Sequence, residues 1–190
     1  MRLALKPTIL AGLIAIPTVL SGCGSVPTTQ AEMDTRMNEV GPKAKKEIAN
    51  MVAKDSTLKP LVDEAYGIIV FPSVASGALI LGGQGGDGVV FKGGEPWGLA
   101  KLAAGSIGFQ IGGESFSELV IMKDENAFNM ITADKFSFTA GINATAVKAG
   151  AALDAKFSNG IAAFVSTNGG LMASAAIGGQ QITCYPADVE

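Results

Sequence analysis

Apolar residues fall into three regimes along this chain, and each regime predicts a different kind of element. From Pro7 to Leu20 they form a nearly continuous run behind Arg2 and Lys6. From about Ala31 to Ala65 they return every three or four residues, at Met33, Met37, Val40, Ala44, Ile48 and Met51, which is the spacing of helix with one apolar stripe. Gly41-Pro42 interrupts that stripe. Proline lacks the amide proton and disfavours helix in the residue before it, so two helices with a kink or turn between them are expected. A third short helix is expected from Leu58 or Leu61 to Glu64.

Beyond Tyr66 the spacing changes to β-branched and aromatic residues interleaved with glycine, as in Tyr66-Gly67-Ile68-Ile69-Val70-Phe71 and Asp87-Gly88-Val89-Val90-Phe91. Further strand candidates are Ala78 to Leu81, Gly105 to Ile111, Glu118 to Lys123, Phe136 to Val147, Ile161 to Ser166 and Leu171 to Ile177. Between them, Asp124 is an N-cap residue ahead of apolar Ala127, Phe128, Met130 and Ile131, which predicts one short helix. Three strands end in Gly-Gly and a polar residue: Gly82-Gly83-Gln84, Gly112-Gly113-Glu114 and Gly178-Gly179-Gln180. Glycine at such places permits bulges, bends and close backbone approach. The pattern predicts an α+β domain, with N-terminal helices packed on a curved glycine-rich antiparallel sheet or partly closed β-barrel.

The leading apolar run changes the picture of where the domain works. It is short, interrupted by Pro7, Gly12 and Pro17, and preceded by two cations, as in a secretory signal peptide and unlike a span of about 20 apolar residues. Leu20-Ser21-Gly22-Cys23 at its end resembles the bacterial lipobox. That resemblance implies cleavage before Cys23, palmitate-type acylation of the cysteine and attachment to a membrane. Gly24 in place of aspartate implies the outer membrane, facing the periplasm or the surface. The expected organisation is a lipoprotein signal peptide over 1–22, a lipidated N-terminus and flexible tether over 23–34, and one domain over 35–190.

Arg2 and Lys6 leave with the signal, which lowers Lys and Arg from 14 to 12 against 17 acidic residues. A net acidic body does not fit nucleic acid. The chain has no histidine, which removes Ser-His and Cys-His dyads, the common zinc sites and the usual neutral-pH base. The carboxylate pairs Glu114 with Glu118, or Asp124 with Glu125, are the remaining candidates for glycosidase-type chemistry, but nothing marks either pair as more than solvated surface. No enzyme activity, catalytic residue, metal ligand or cofactor is expected. Cys184 reads as a small buried hydrophobe near the last strand.

Gly83-Gln84-Gly85-Gly86-Asp87-Gly88 matches G-x-G-x-x-G, but a strand follows where dinucleotide binding needs a helix N-terminus. The same stretch matches one calcium-binding nonapeptide repeat, and a lone copy reads as a glycine-rich hairpin. Lys43, Lys45 and Lys46 beside the methionine stripe suit either a membrane-surface helix or one packed on the domain's own sheet. Trp97 suits an interfacial anchor or a core or rim aromatic.

The ordered set Ala65-Tyr66-Gly67-Ile68-Ile69-Val70-Phe71-Pro72-Ser73-Val74, Trp97-Gly98-Leu99, Ser106-Ile107-Gly108-Phe109-Gln110-Ile111-Gly112 and Asn168-Gly169-Gly170-Leu171 resembles the SYLF lipid-binding domain family. Eukaryotic members bind phosphoinositides, and bacterial members are commonly small exported lipoproteins. The resemblance implies noncatalytic binding of phospholipid or phosphoinositide-type anionic headgroups at the cell envelope, with Lys43, Lys45, Lys46 and Trp97 as lipid-binding residues and membrane phospholipid as the partner. The alternative is a structural protein that docks another envelope component or a host protein.

Overall fold

The computed structural model describes residues 26–76, 83–105, 115–133, 135–138, 157–167, 170–174 and 180–188. The expected signal peptide, Cys23, Glu114 and most of the Gly-Gly strand endings lie outside them, as do the candidate strand Ala78 to Leu81 and nearly all of Gly105 to Ile111.

Two helices come first, α1 (Gln30–Lys54) and α2 (Leu58–Asp63), followed by strands β1 (Gly67–Ser76), β2 (Gly83–Lys92), β3 (Glu95–Gly105) and β4 (Phe116–Met122). Helix α3 (Glu125–Thr132) and strands β5 (Lys135–Phe138), β6 (Ile161–Thr167), β7 (Gly170–Ser174) and β8 (Gln180–Pro186) complete the described elements. The strands form one antiparallel sheet in the order β5-β8-β3-β2-β1-β4-β6-β7. The α+β class stands. Among the described residues the order is open, because the end strands β5 and β7 pair with one neighbour each and not with one another, so the partly closed barrel is not formed.

The open sheet is nonetheless curved. Gln180 of β8 and Glu118 of β4 are hydrogen-bonded side chain to side chain at 2.9 Å, with β3, β2 and β1 lying between their strands. In a flat sheet four strand spacings amount to roughly 19 Å, beyond the reach of these two side chains. The curl starts in β1, whose pairing with both neighbours shifts between Val70 and Ala75. Pro72 sits in this bulge, a position where its missing amide proton costs no ladder bond. Opposite it, a Cβ on Gly88 would lie 2.5 Å from the Val70 carbonyl oxygen and 2.6 Å from the Phe71 ring. The glycine run in β2 is therefore a seat for the β1 bulge. Gly93 and Gly94, at φ 57° and 84°, close the tight turn into β3, as a type I′ hairpin demands.

Both faces are covered, which is why every residue of β4 is buried. On the concave face Ile69, Phe71, Val90, Val120, Met122 and Ile182 pack with Ala127, Phe128 and Ile131 of α3. On the convex face Ile68, Val70, Val89, Leu119 and Ile121 pack with Met33, Val40, Ala44, Met51 of α1 and Leu58 of α2. The Asp124 side chain accepts the Ala127 amide at 2.9 Å and caps α3.

Two expectations are corrected here. Gly41-Pro42 does not divide the first helical region, and α1 runs through it as one helix. Pro42 is exposed, so the carbonyl that loses its N–H partner faces water, while Val40 and Ala44 on either side hold the same apolar layer. The flexible tether is also shorter than residues 23–34. Thr29 caps α1 by accepting the Glu32 amide, and Met33 is 1% exposed in the core.

Candidate functional site

Three places in the described residues combine charge or polarity with burial. The first is the start of the domain. Pro27 is buried, and with Ala31, Glu32, Thr35 and Arg36 it lines an open groove of about 320 Å³. Glu32 accepts from the Thr28 amide at 2.8 Å and the Thr28 hydroxyl at 3.1 Å, and these bonds, the amide first, hold its carboxyl below the usual range. Arg36 donates to Asp87 of β2 at 2.9 Å, and Lys101 of β3 approaches the other oxygen of that carboxylate at 3.7 Å. Pro27 and the first turns of α1 are thus docked on the convex face.

The second is an aromatic cluster at the same end of the sheet. Gln30 donates to the Ala187 carbonyl at 3.0 Å, and the Ala187 amide donates to the Trp97 carbonyl at 2.9 Å. The Trp97 ring meets Phe128 of α3 edge to face at 5.4 Å, and Tyr66 meets the same ring at 5.8 Å. The Lys92 ammonium lies over both Tyr66 and Phe128, 5.4 and 5.2 Å from their centroids. Trp97 is half-buried at the rim of the concave core, which fits the rim-aromatic alternative and leaves part of the indole accessible.

The third lies inside the curl. Gln180 donates through Nε2 to both carboxylate oxygens of Glu118, and neither residue reaches solvent to a useful extent, at 2% and 0% exposed. Burial among apolar walls raises the Glu118 carboxyl to about 7, against the lowering effect of the Gln180 bond. Gln180 Oε1 is buried and has no hydrogen-bond partner among the described residues.

The residues expected from sequence are not gathered in one site. Lys43, Lys45 and Lys46 are exposed on α1 over the convex face, with the Lys43 ammonium 3.5 Å from Glu39. Trp97 belongs to the concave side. The apolar stripe beside the lysines is already packed on the sheet, as in the second of its two interpretations. Glu118 is sealed from water, and Asp124 is exposed with one carboxylate oxygen accepting the Ala127 amide as a helix cap. Among the described residues no group of histidine, cysteine, aspartate or glutamate side chains could hold a metal ion. Sequence reasoning missed Gln180 as a partner of Glu118, and Arg36 with Asp87 and Lys101. Only the repeated Gly-Gly-polar ending hinted at Gln180.

No helix among the described residues is long and apolar enough to cross a membrane. No family model matches the chain. It is 27% identical over 161 residues to Beta cell expansion factor A of Aeromonas veronii, an alignment that takes in 78% of this chain and 62% of that protein. The chain therefore spans less than two thirds of that relative's length.

Proposed function

We propose that the mature chain is a noncatalytic lipoprotein of the bacterial outer membrane, anchored by acylated Cys23, whose domain binds phospholipid headgroups. The observation that carries this is the burial of Pro27, four residues after the lipobox cysteine. An acyl chain on Cys23 would hold a folded surface against the bilayer, with almost no slack. The lack of histidine and the resemblance of the β1 run to SYLF domains support the same reading. Two surfaces are available for headgroup contact: the exposed lysines of α1 and the Trp97 cluster.

Co-sedimentation of residues 24–190 with neutral, anionic and phosphoinositide-containing vesicles at two salt concentrations tests it. Binding to phospholipid vesicles is expected. Salt-sensitive binding that falls on combining Lys43→Glu, Lys45→Glu and Lys46→Glu would assign the contact to α1. Salt-insensitive binding that survives those changes would assign it to the Trp97 end. Indifference to every vesicle would reject headgroup binding and favour a protein partner. For that alternative, β7 has one strand neighbour among the described residues and so offers a backbone edge.

A further inference from the structure

We propose that the bilayer meets the end of the domain that carries Val26, Tyr66, Trp97 and Met130, and that the exposed face of α1 with Lys43, Lys45 and Lys46 is turned away from it. This rests on the reading of Cys23 as acylated, and it adds which surface the anchor presses against lipid.

The length of chain outside the described residues sets the geometry. Pro27 is docked, and the four residue-to-residue steps from Cys23 to it span at most about 14 Å when fully extended. The surface that contains Pro27 is therefore held close to the headgroups. Lys43 to Lys46 lie 13 to 16 residues beyond Gln30 along α1, about 20–24 Å farther along the helix axis. They can touch the same membrane only if α1 lies flat on it.

The character of the two surfaces decides between these arrangements. Among the described residues, the large hydrophobic side chains that remain exposed are Val26 and Met130, each at 41%. Val26 adjoins Pro27, and Met130 shares α3 with Phe128, against which Trp97 packs. The contacts from Gln30 through Ala187 to Trp97 bind these parts into one end of the molecule. A half-buried indole and a half-buried phenol, with two exposed apolar side chains on the segments that pack beside them, suit the zone between headgroups and acyl chains. The α1 face carries Glu32, Asp34 and Glu39 besides its lysines, and its apolar stripe is spent on the sheet.

Charge does not drive this contact. Lys92 is the register partner of Glu95 across the β2–β3 turn, and the Lys123 ammonium lies over the Phe157 ring at 3.8 Å, so the attraction is apolar and the short tether supplies a high effective concentration. Binding in this orientation is accordingly insensitive to salt.

The test uses the full acylated chain in vesicles with brominated acyl chains, read by flotation and by fluorescence. Trp97 is the sole tryptophan and a native reporter. Its emission is expected to be quenched at low and high salt. A fluorophore on Met130→Cys should be quenched and one on Lys45→Cys should not. Quenching at position 45 but not at 130, in protein that floats, would overturn the orientation and leave the anchor intact. Wild-type protein that fails to float, or Cys23→Ala protein that floats equally well, would remove the anchor and this proposal with it. Met130→Asp is exposed and leaves the core untouched, so it should keep flotation while reducing the quenching of Trp97.

Discussion

Glu118 and Gln180 are 62 residues apart in sequence and have three strands between theirs in the sheet, yet the amide nitrogen of Gln180 lies 2.9 Å from each carboxylate oxygen of Glu118. Among the described residues this bond links β4 to β8 across the concave core. A carboxyl in such surroundings is stable when neutral and costly when ionised.

The pH dependence follows from that. The carboxyl's folded-state value is about 7, above the ordinary 4.5, so its contribution to stability is complete below about pH 4.5 and is lost as the pH rises through 7. Urea unfolding of wild type and Glu118→Gln at pH 5 and pH 8 should show the variant gaining about 2–3 kcal/mol relative to wild type at the higher pH. An unchanged difference would mean that the carboxylate is stabilised as an ion.

Gly88→Val should destabilise the domain by about 2–4 kcal/mol, because its Cβ enters the Val70 carbonyl and the Phe71 ring. Gly85→Ala, whose nearest new contact is the Leu102 carbonyl at 3.6 Å, should cost little. Equal losses at the two positions, measured as denaturant midpoints, would refute the assignment of this glycine run to the β1 bulge.

Cys184 is 8% exposed, and burial pushes its thiol up to about 12. In residues 24–190 it should resist alkylating reagents at pH 8 and react within minutes once urea unfolds the chain. Rapid reaction in the native state would place the thiol at the surface.

Pro42→Ala should raise stability by about 1–3 kcal/mol, since it restores an amide donor inside α1 on its exposed side. Gly41→Ala, with open space around its Cβ position, should add up to about 1 kcal/mol. A loss in both variants would show that the helix depends on a kink at this point.

Local patterns carried much of this fold. The α1 stripe from Met33 to Met51 is buried or half-buried at every expected position, and Asp124 caps the helix that it announces. Strand β3 was illegible for a physical reason: Leu99-Ala100-Lys101-Leu102-Ala103-Ala104 consists of good helix formers, and it is extended because β2 and β8 pair with it on both edges. The same limit applies to the sites. The Asp87 link to Arg36 and the Glu118 link to Gln180 join residues distant in sequence, and no spacing rule reaches that far. Pro42 misled because its local penalty is outweighed by apolar packing on both sides of it.

The hydrogen bond from Gln30 to the Ala187 carbonyl joins residues 157 positions apart, so the first turn of α1 rests on the end of the last strand. Assembly of the domain therefore cannot be completed piece by piece from the N-terminus. The first turn of the earliest helix must wait for β8 to gain this contact, a long loop closure. Until then the first turn of α1 lacks its tie to Ala187, although the apolar stripe behind it already has β1, β2 and β3 to pack on. The join between the two ends is thus a late clasp on a helix that the middle of the chain has already seated.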